Sequence, residues 1–169
     1  MTAALDPEAL AAEIDALDYS ALGVRPEYID SNGHMNVGYY TLLFDKALDL
    51  PWARLGIYSE LILRTGKSSF ALESHITYKQ ELKEGDPLAF EFQLLDFDAK
   101  RIHYFLRMLH AKRNYLAATC EQISICVDMG TRRSTAWPET SLGLIAALHA
   151  AHQARPRPPE AGRVIGIRK

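Results

Sequence analysis

Positive charge is scarce in this chain. Its 19 Lys and Arg are outnumbered by 21 Asp and Glu, for a formal net charge of −2. It therefore lacks the basic footprint of a nucleic-acid-binding protein. No apolar run approaches the roughly 20 residues needed to span a membrane. The opening Met-Thr-Ala-Ala-Leu-Asp-Pro has no basic segment and no apolar segment behind it, so no secretory signal and no membrane partner is expected, and the expected location is the cytoplasm. Cysteine is limited to Cys120 and Cys126. In an extended strand the two share a face but lie about 20 Å apart. That excludes a disulfide between them within one strand, and the spacing matches no metal motif. They are expected to be small core residues in a reducing compartment. The other reading, a Cys nucleophile, has no adjacent base in the sequence. Internal repeats and low-complexity segments are also absent.

What is present fits one folded domain. The chain has 169 residues, 48% hydrophobic and 24% charged, an ordinary composition for a globular protein. At this length about two thirds of the unfolded surface is buried on folding. Residues 1–18 hold a short helical pattern, with Asp6 as cap, Pro7 at the first helical position, and Leu10, Ile14 and Leu17 at helical spacing. Tyr19 to Arg25 reads as a first strand, ended by Pro26. From Tyr39 the apolar residues Tyr40, Leu43, Phe44, Ala47 and Leu48 recur at helical spacing, with Asn36 placed to cap the helix. Pro51 should end or kink it. Trp52 to Arg64 holds a further short helical piece.

From Lys67 the period changes to two. Phe70, Leu72, Ser74, Ile76 and Tyr78 alternate with Ser69, Ala71, Glu73, His75 and Thr77. Glu84-Gly85-Asp86-Pro87 is a turn. Strands are expected over Leu88–Asp96, Arg101–His110 and Tyr115–Asp128, joined at Asp98-Ala99-Lys100 and Lys112-Arg113-Asn114. Ser141–Gln153 is a helix candidate, closed by Arg155-Pro-Arg-Pro-Pro. The order is strand, long helix, then four strands with short connections. It implies an α+β fold in which a curved antiparallel sheet of about five strands wraps one long helix. The expected divisions are a helical appendage at 1–18, a domain at 19–135, and a helix with a tail at 136–169.

The chain is organised around Arg25 to Leu50. Asp30, Ser31, Asn32 and Gly33 form a polar turn immediately before the helix, whose start offers unpaired N–H groups and the positive end of its dipole. A carboxylate beside such a terminus is placed to attack, or to activate water against, a carbonyl whose oxyanion the N–H groups hold. The order Asp-x-x-Gly-His-x-Asn-x-x-x-Tyr, here Asp30, Gly33, His34, Asn36 and Tyr40, resembles the signature of hot-dog thioesterases of the 4-hydroxybenzoyl-CoA thioesterase type. The wider wording "RPEYIDSNGHMNVGYY", "FALESHITYKQELKEGDPL", "LLDFDAKRIHYFLRMLHA" and "AATCEQISICVDM" is similar to the betainyl-CoA thioesterases of carnitine breakdown.

The resemblance implies a single hot-dog domain and a homodimer, alone or as a dimer of dimers, with the site at the subunit boundary. It implies hydrolysis of an acyl-CoA thioester, with betainyl-CoA giving glycine betaine and CoA as the specific expectation. The alternatives are a broader acyl-CoA or acyl-carrier-protein thioesterase, and a non-catalytic acyl-CoA-binding module. No metal or bound cofactor is implied, because coenzyme A arrives with the substrate. Asp30 would be nucleophile or general base; its other reading is a residue bonding its own turn. A backbone N–H near Val37 would polarise the thioester carbonyl. Gly38 would let the acyl chain approach the helix, or let the helix pack closely. His34 and Asn36 would orient Asp30 or bind substrate, or serve as turn residue and helix cap.

Glu73 has three readings. It is a catalytic base as in some hot-dog enzymes, an anion for a cationic substrate, or an outward ion-paired residue. His75 shares its strand face. Tyr28, Tyr39, Tyr40, Phe44 and Tyr78 are aromatic faces for a trimethylammonium group, or core. The basic turns around Lys100, Arg101, Lys112, Arg113, Arg132 and Arg133 meet phosphates or solvent.

Overall fold

Burial of one long helix dictates the architecture. The computed structural model describes residues 6–167; Met1–Leu5 and Arg168–Lys169, parts of the expected appendage and tail, lie outside the described residues. Helix α1 spans Pro7–Asp15. Asp6 caps it, its Oδ1 accepting from the Glu8 and Ala9 N–H groups at 3.0 and 3.3 Å. Helix α2 spans Val37–Arg54 and α3 spans Ser59–Thr65. Strands β1 (Lys67–Tyr78), β2 (Leu88–Phe97), β3 (Arg101–His110), β4 (Leu116–Asp128) and the short β5 (Arg133–Ser134) precede α4 (Glu139–His152). The sheet is antiparallel in the order β1-β4-β3-β2, with β5 paired to the end of β4. This is the hot-dog arrangement, the sheet wrapped on α2. Tyr40, Leu43, Phe44, Ala47, Leu48 and Trp52 form the buried stripe of α2, and α1 and α4 add Leu10, Ile14, Ile145 and Leu148 to the same core.

Two local expectations are corrected. Tyr19–Arg25 is not a strand. Asp18 Oδ1 accepts from the Ser20 N–H and Leu22 N bonds Tyr19 O, so the segment turns on itself. Only a single bridge, Gly23 to Pro87, remains. The fifth strand is β5 instead. Pro51 does not end α2, which continues to Arg54. Proline removes one helical donor, but Trp52 beyond it is buried against Phe92 and Tyr104, with ring centroids 6.1 and 4.9 Å away. Tertiary packing therefore carries the last turn. The chain then breaks at Gly56, whose φ of +66° suits glycine.

The phase of β1 decides what reaches α2. A bulge between Ala71 and Glu73 resets the register. Beyond it, Ser74, Ile76 and Tyr78 face α2, since Tyr78 lies edge-on to Tyr40. Glu73, His75 and Thr77 face the opposite side. After α4 the chain crosses that opposite face. Arg155 holds Asp15 with two bonds of 2.9 and 2.7 Å, Gln93 donates to Pro156 O, and the Gly162 N–H donates to Glu121.

His152, on α4, seals the free edge of β2. Its Nδ1 accepts from the Leu94 N–H at 2.9 Å, and the side chain is almost fully buried. Burial first, and then the charge of Arg155, pulls its pKa from 6.5 to about 4, with Asp15 acting the other way. The folded value lies below the unfolded one, so the unfolded chain binds more protons between them. Stability is therefore full above pH 6.5 and falls toward pH 4, by roughly 3 kcal/mol in all. Urea unfolding of the wild type and of His152→Gln across this window is expected to show a clearly shallower pH dependence in the variant.

Candidate active site

The turn before α2 is a closed piece of backbone. Ile29 and Met35 form a bridge. Asp30 N bonds His34 O, Gly33 N bonds Asp30 O, and Asn36 N bonds Tyr28 O at 2.9–3.1 Å. Gly33 takes a φ of +81°, which an L side chain resists. Met35 N donates to Leu82 O at 2.7 Å and so ties the turn to the chain beyond β1.

Asp30 bonds its own turn. Its Oδ1 accepts from the Asn32 N–H at 2.8 Å, closing an Asx turn. Its Oδ2 takes no hydrogen bond among the described residues. His34 Nδ1 lies 4.0 Å from Oδ1. Asn36 caps α2, its Oδ1 accepting from the Gly38 N–H at 3.0 Å. The Val37 N–H, first in the helix, has no intrahelical acceptor and no other partner among the described residues.

These groups meet in one cavity of about 400 Å³. Asp30, His34, Met35, Asn36, Val37 and Tyr40 line it from the turn and α2, and Tyr78 to Glu81 from the end of β1 and the chain beyond. A carboxylate with one free oxygen, a free N–H at a helix start and a concave space between them can hydrolyse an activated carbonyl. The two thiols are not rival nucleophiles. Burial pushes Cys120 up to about 12 and raises Cys126, and both are buried and unbridged.

Several sequence candidates lie elsewhere. Glu73 and His75, placed by the bulge on the far face of the sheet, line a separate cavity with His103, Glu121 and Arg163. Phe44 is core, against Phe90. Tyr28 is buried and stacks on Tyr39 at 4.3 Å, behind the turn rather than in the cavity. Gly38 is exposed, and a Cβ there would come within 3.4 Å of Asn36 Oδ1. Of the basic residues, Arg101 is tied to Asp98 and Arg132 sits over the Phe70 ring. Sequence reasoning missed Lys79, Gln80 and Glu81. They follow β1 in a stretch with no periodicity, and the Met35–Leu82 bond ties that stretch to the turn.

The helix wrapped by a curved sheet, with a carboxylate turn at the helix start, defines a hot-dog thioesterase. Residues 24–147 match the thioesterase-like superfamily. The chain belongs to this family of enzymes, which hydrolyse acyl-CoA thioesters by the hot-dog fold. It is 35% identical over 144 residues to the betainyl-CoA thioesterase of Pseudomonas aeruginosa, covering 85% of this chain and 91% of that one. It is 30% identical over 163 residues to the L-carnitine dehydrogenase/betainyl-CoA thioesterase of Rhizobium sp, of which it spans 33% while 96% of this chain is covered. Among solved structures, the protein SAV2348 from Staphylococcus aureus in complex with CoA superposes with a TM-score of 0.81 at 30% identity, covering 87% of this chain and 92% of that one. No group of three or more His, Cys, Asp or Glu able to hold a metal occurs among the described residues, and no helix there is long and apolar enough to cross a membrane.

Proposed function

We propose that this chain hydrolyses betainyl-CoA to glycine betaine and CoA, as a step of carnitine breakdown in the cytoplasm. The observation that carries the reaction is the free Oδ2 of Asp30 in the same cavity as the unpaired Val37 N–H. The substrate reading is supported by the relatives that bear this activity in their names. Asp30 takes a proton from water as water attacks the thioester carbon, or attacks it directly to form an anhydride that water opens. In either route the Val37 N–H stabilises the oxyanion, the C–S bond breaks, and the thiolate leaves with the electron pair and is protonated. His34 Nδ1 lies 4.0 Å from the Asp30 carboxylate, and Asn36 caps the helix start at the cavity. Thiolate is a good leaving group, so no strong acid, metal or cofactor is required.

Thiol release from betainyl-CoA, acetyl-CoA, butyryl-CoA, a long-chain acyl-CoA and a benzoyl-type acyl-CoA tests this reading. A strong preference for betainyl-CoA supports it. Equal activity on neutral chains would make the enzyme a broad thioesterase. Binding of CoA esters with no turnover would make it a sensor.

The working unit is a homodimer in this proposal. β1 is an outer strand with an unpaired edge, and Leu72 and, on the neighbouring α3, Leu63 are exposed. Such an edge invites pairing with a second copy. Light scattering behind size exclusion is expected to give two chains or four for the wild type, and fewer for Leu72→Lys. A monomeric wild type would contradict the assembly.

A further inference from the structure

The cavity at Asp30 contains a second carboxylate that hydrolysis does not use. Glu81 lines it from the chain beyond β1. The one lysine in the lining, Lys79, has its ammonium 3.8 Å from the carboxylate of Glu160, which arrives from the segment after α4. The positive charge there is thus already matched, and the lining carboxylates are Asp30 and Glu81. Lys83 pairs with the Glu81 carboxylate at 3.3 Å from outside the cavity, but both side chains are more than half exposed, so solvent screens this pair and the carboxylate can still face a second cation.

Two tyrosines line the same cavity as Glu81. The Tyr40 and Tyr78 rings meet edge to face, with centroids 5.1 Å apart and planes at 83°. Tyr40 is buried, while Tyr78 is 49% exposed, so its ring has surface left for a ligand. Burial first, with the charge of Glu81 among the smaller causes, raises the Tyr40 phenol. The buried Tyr40 ring fixes Tyr78 in place through their edge-to-face contact. An aromatic face next to a carboxylate attracts a cation that has no N–H to donate. It offers a neutral alkyl end nothing for desolvating Glu81, and it repels an anionic end.

From this we infer that Tyr40, Tyr78 and Glu81 form the subsite that holds a quaternary-ammonium end of the acyl group, and that Tyr78 and Glu81 set the enzyme's preference for it. The inference rests on the betainyl-CoA reading and gives it a location. It also moves the anionic partner from Glu73, which faces the other side of the sheet, to Glu81.

The test compares two substrates of one shape. Betainyl-CoA carries a trimethylammonium group; its neutral isostere carries a tert-butyl group at the same position. For the wild type, kcat/KM is expected to favour betainyl-CoA. In Glu81→Gln and in Tyr78→Leu the ratio of the two kcat/KM values is expected to fall by about tenfold, mainly through KM for betainyl-CoA. Loss of folded protein lowers both rates together and leaves the ratio in place, so the ratio reads the subsite alone. An unchanged ratio in both variants would overturn the inference while leaving the betainyl-CoA reading standing. A wild type that hydrolyses both esters equally would overturn the ammonium subsite but not the thioesterase. A wild type that hydrolyses neither would remove both readings.

Discussion

Asp30→Asn is expected to lower kcat on the preferred acyl-CoA by about a thousandfold while leaving the fold and ester binding in place. Asn retains an oxygen to accept from the Asn32 N–H, so the Asx turn, the Ile29–Met35 bridge and the cap on α2 all survive. What disappears is the negative charge and the free, basic Oδ2. Thiol release with kcat and KM determined separately, alongside a thermal melt, checks the result. A fall confined to kcat with an unchanged melting point assigns the carboxylate to the chemical step. Undiminished turnover would show that Asp30 is only a turn residue.

The largest expected effect on stability comes from Trp52→Ala, about 3–5 kcal/mol. Trp52 packs edge-on against Tyr104 and Phe92, tying the end of α2 to β3 and β2. It also holds a helical turn that Pro51 deprives of a donor. The truncation therefore opens a cavity and releases that turn. A drop in Tm on the order of 10 °C is expected for a chain of this size. Turnover at low temperature should change far less, because the turn that carries Asp30 lies at the opposite end of α2. A loss under about 1 kcal/mol would mean that the last turn is secured by other contacts.

Much of this architecture is legible in the residues themselves. The change of period at Lys67 marks the start of β1, and turn residues separate β2, β3 and β4 within about a residue of their observed ends, because Gly, Pro, Asp and Asn interrupt the strands chemically. Asp6-Pro7 announces α1 through its capping chemistry alone. Errors occur where tertiary contacts decide. Val24 and Tyr19 are buried as strand residues would be, yet the Asp18–Ser20 turn keeps their segment from pairing. Pro51 signals a helix end that packing of Trp52 overrides. The candidate site divides the same way. Asp30, His34, Asn36 and Val37 lie within one short stretch, so local turn chemistry suffices to group them. Glu73 depends on a bulge that sends it to the far face. Glu81 reaches the cavity through the backbone bond between its neighbour Leu82 and Met35, far apart in the chain, which no periodicity records.

The most direct test of the account is a crystal structure of Asp30→Asn with betainyl-CoA bound. The account predicts the thioester oxygen about 3 Å from the Val37 nitrogen, the thioester carbon beside the side chain at position 30, and the trimethylammonium group against Tyr78 and Glu81. An acyl group bound instead on the far face of the sheet, beside Glu73 and His75, would contradict it.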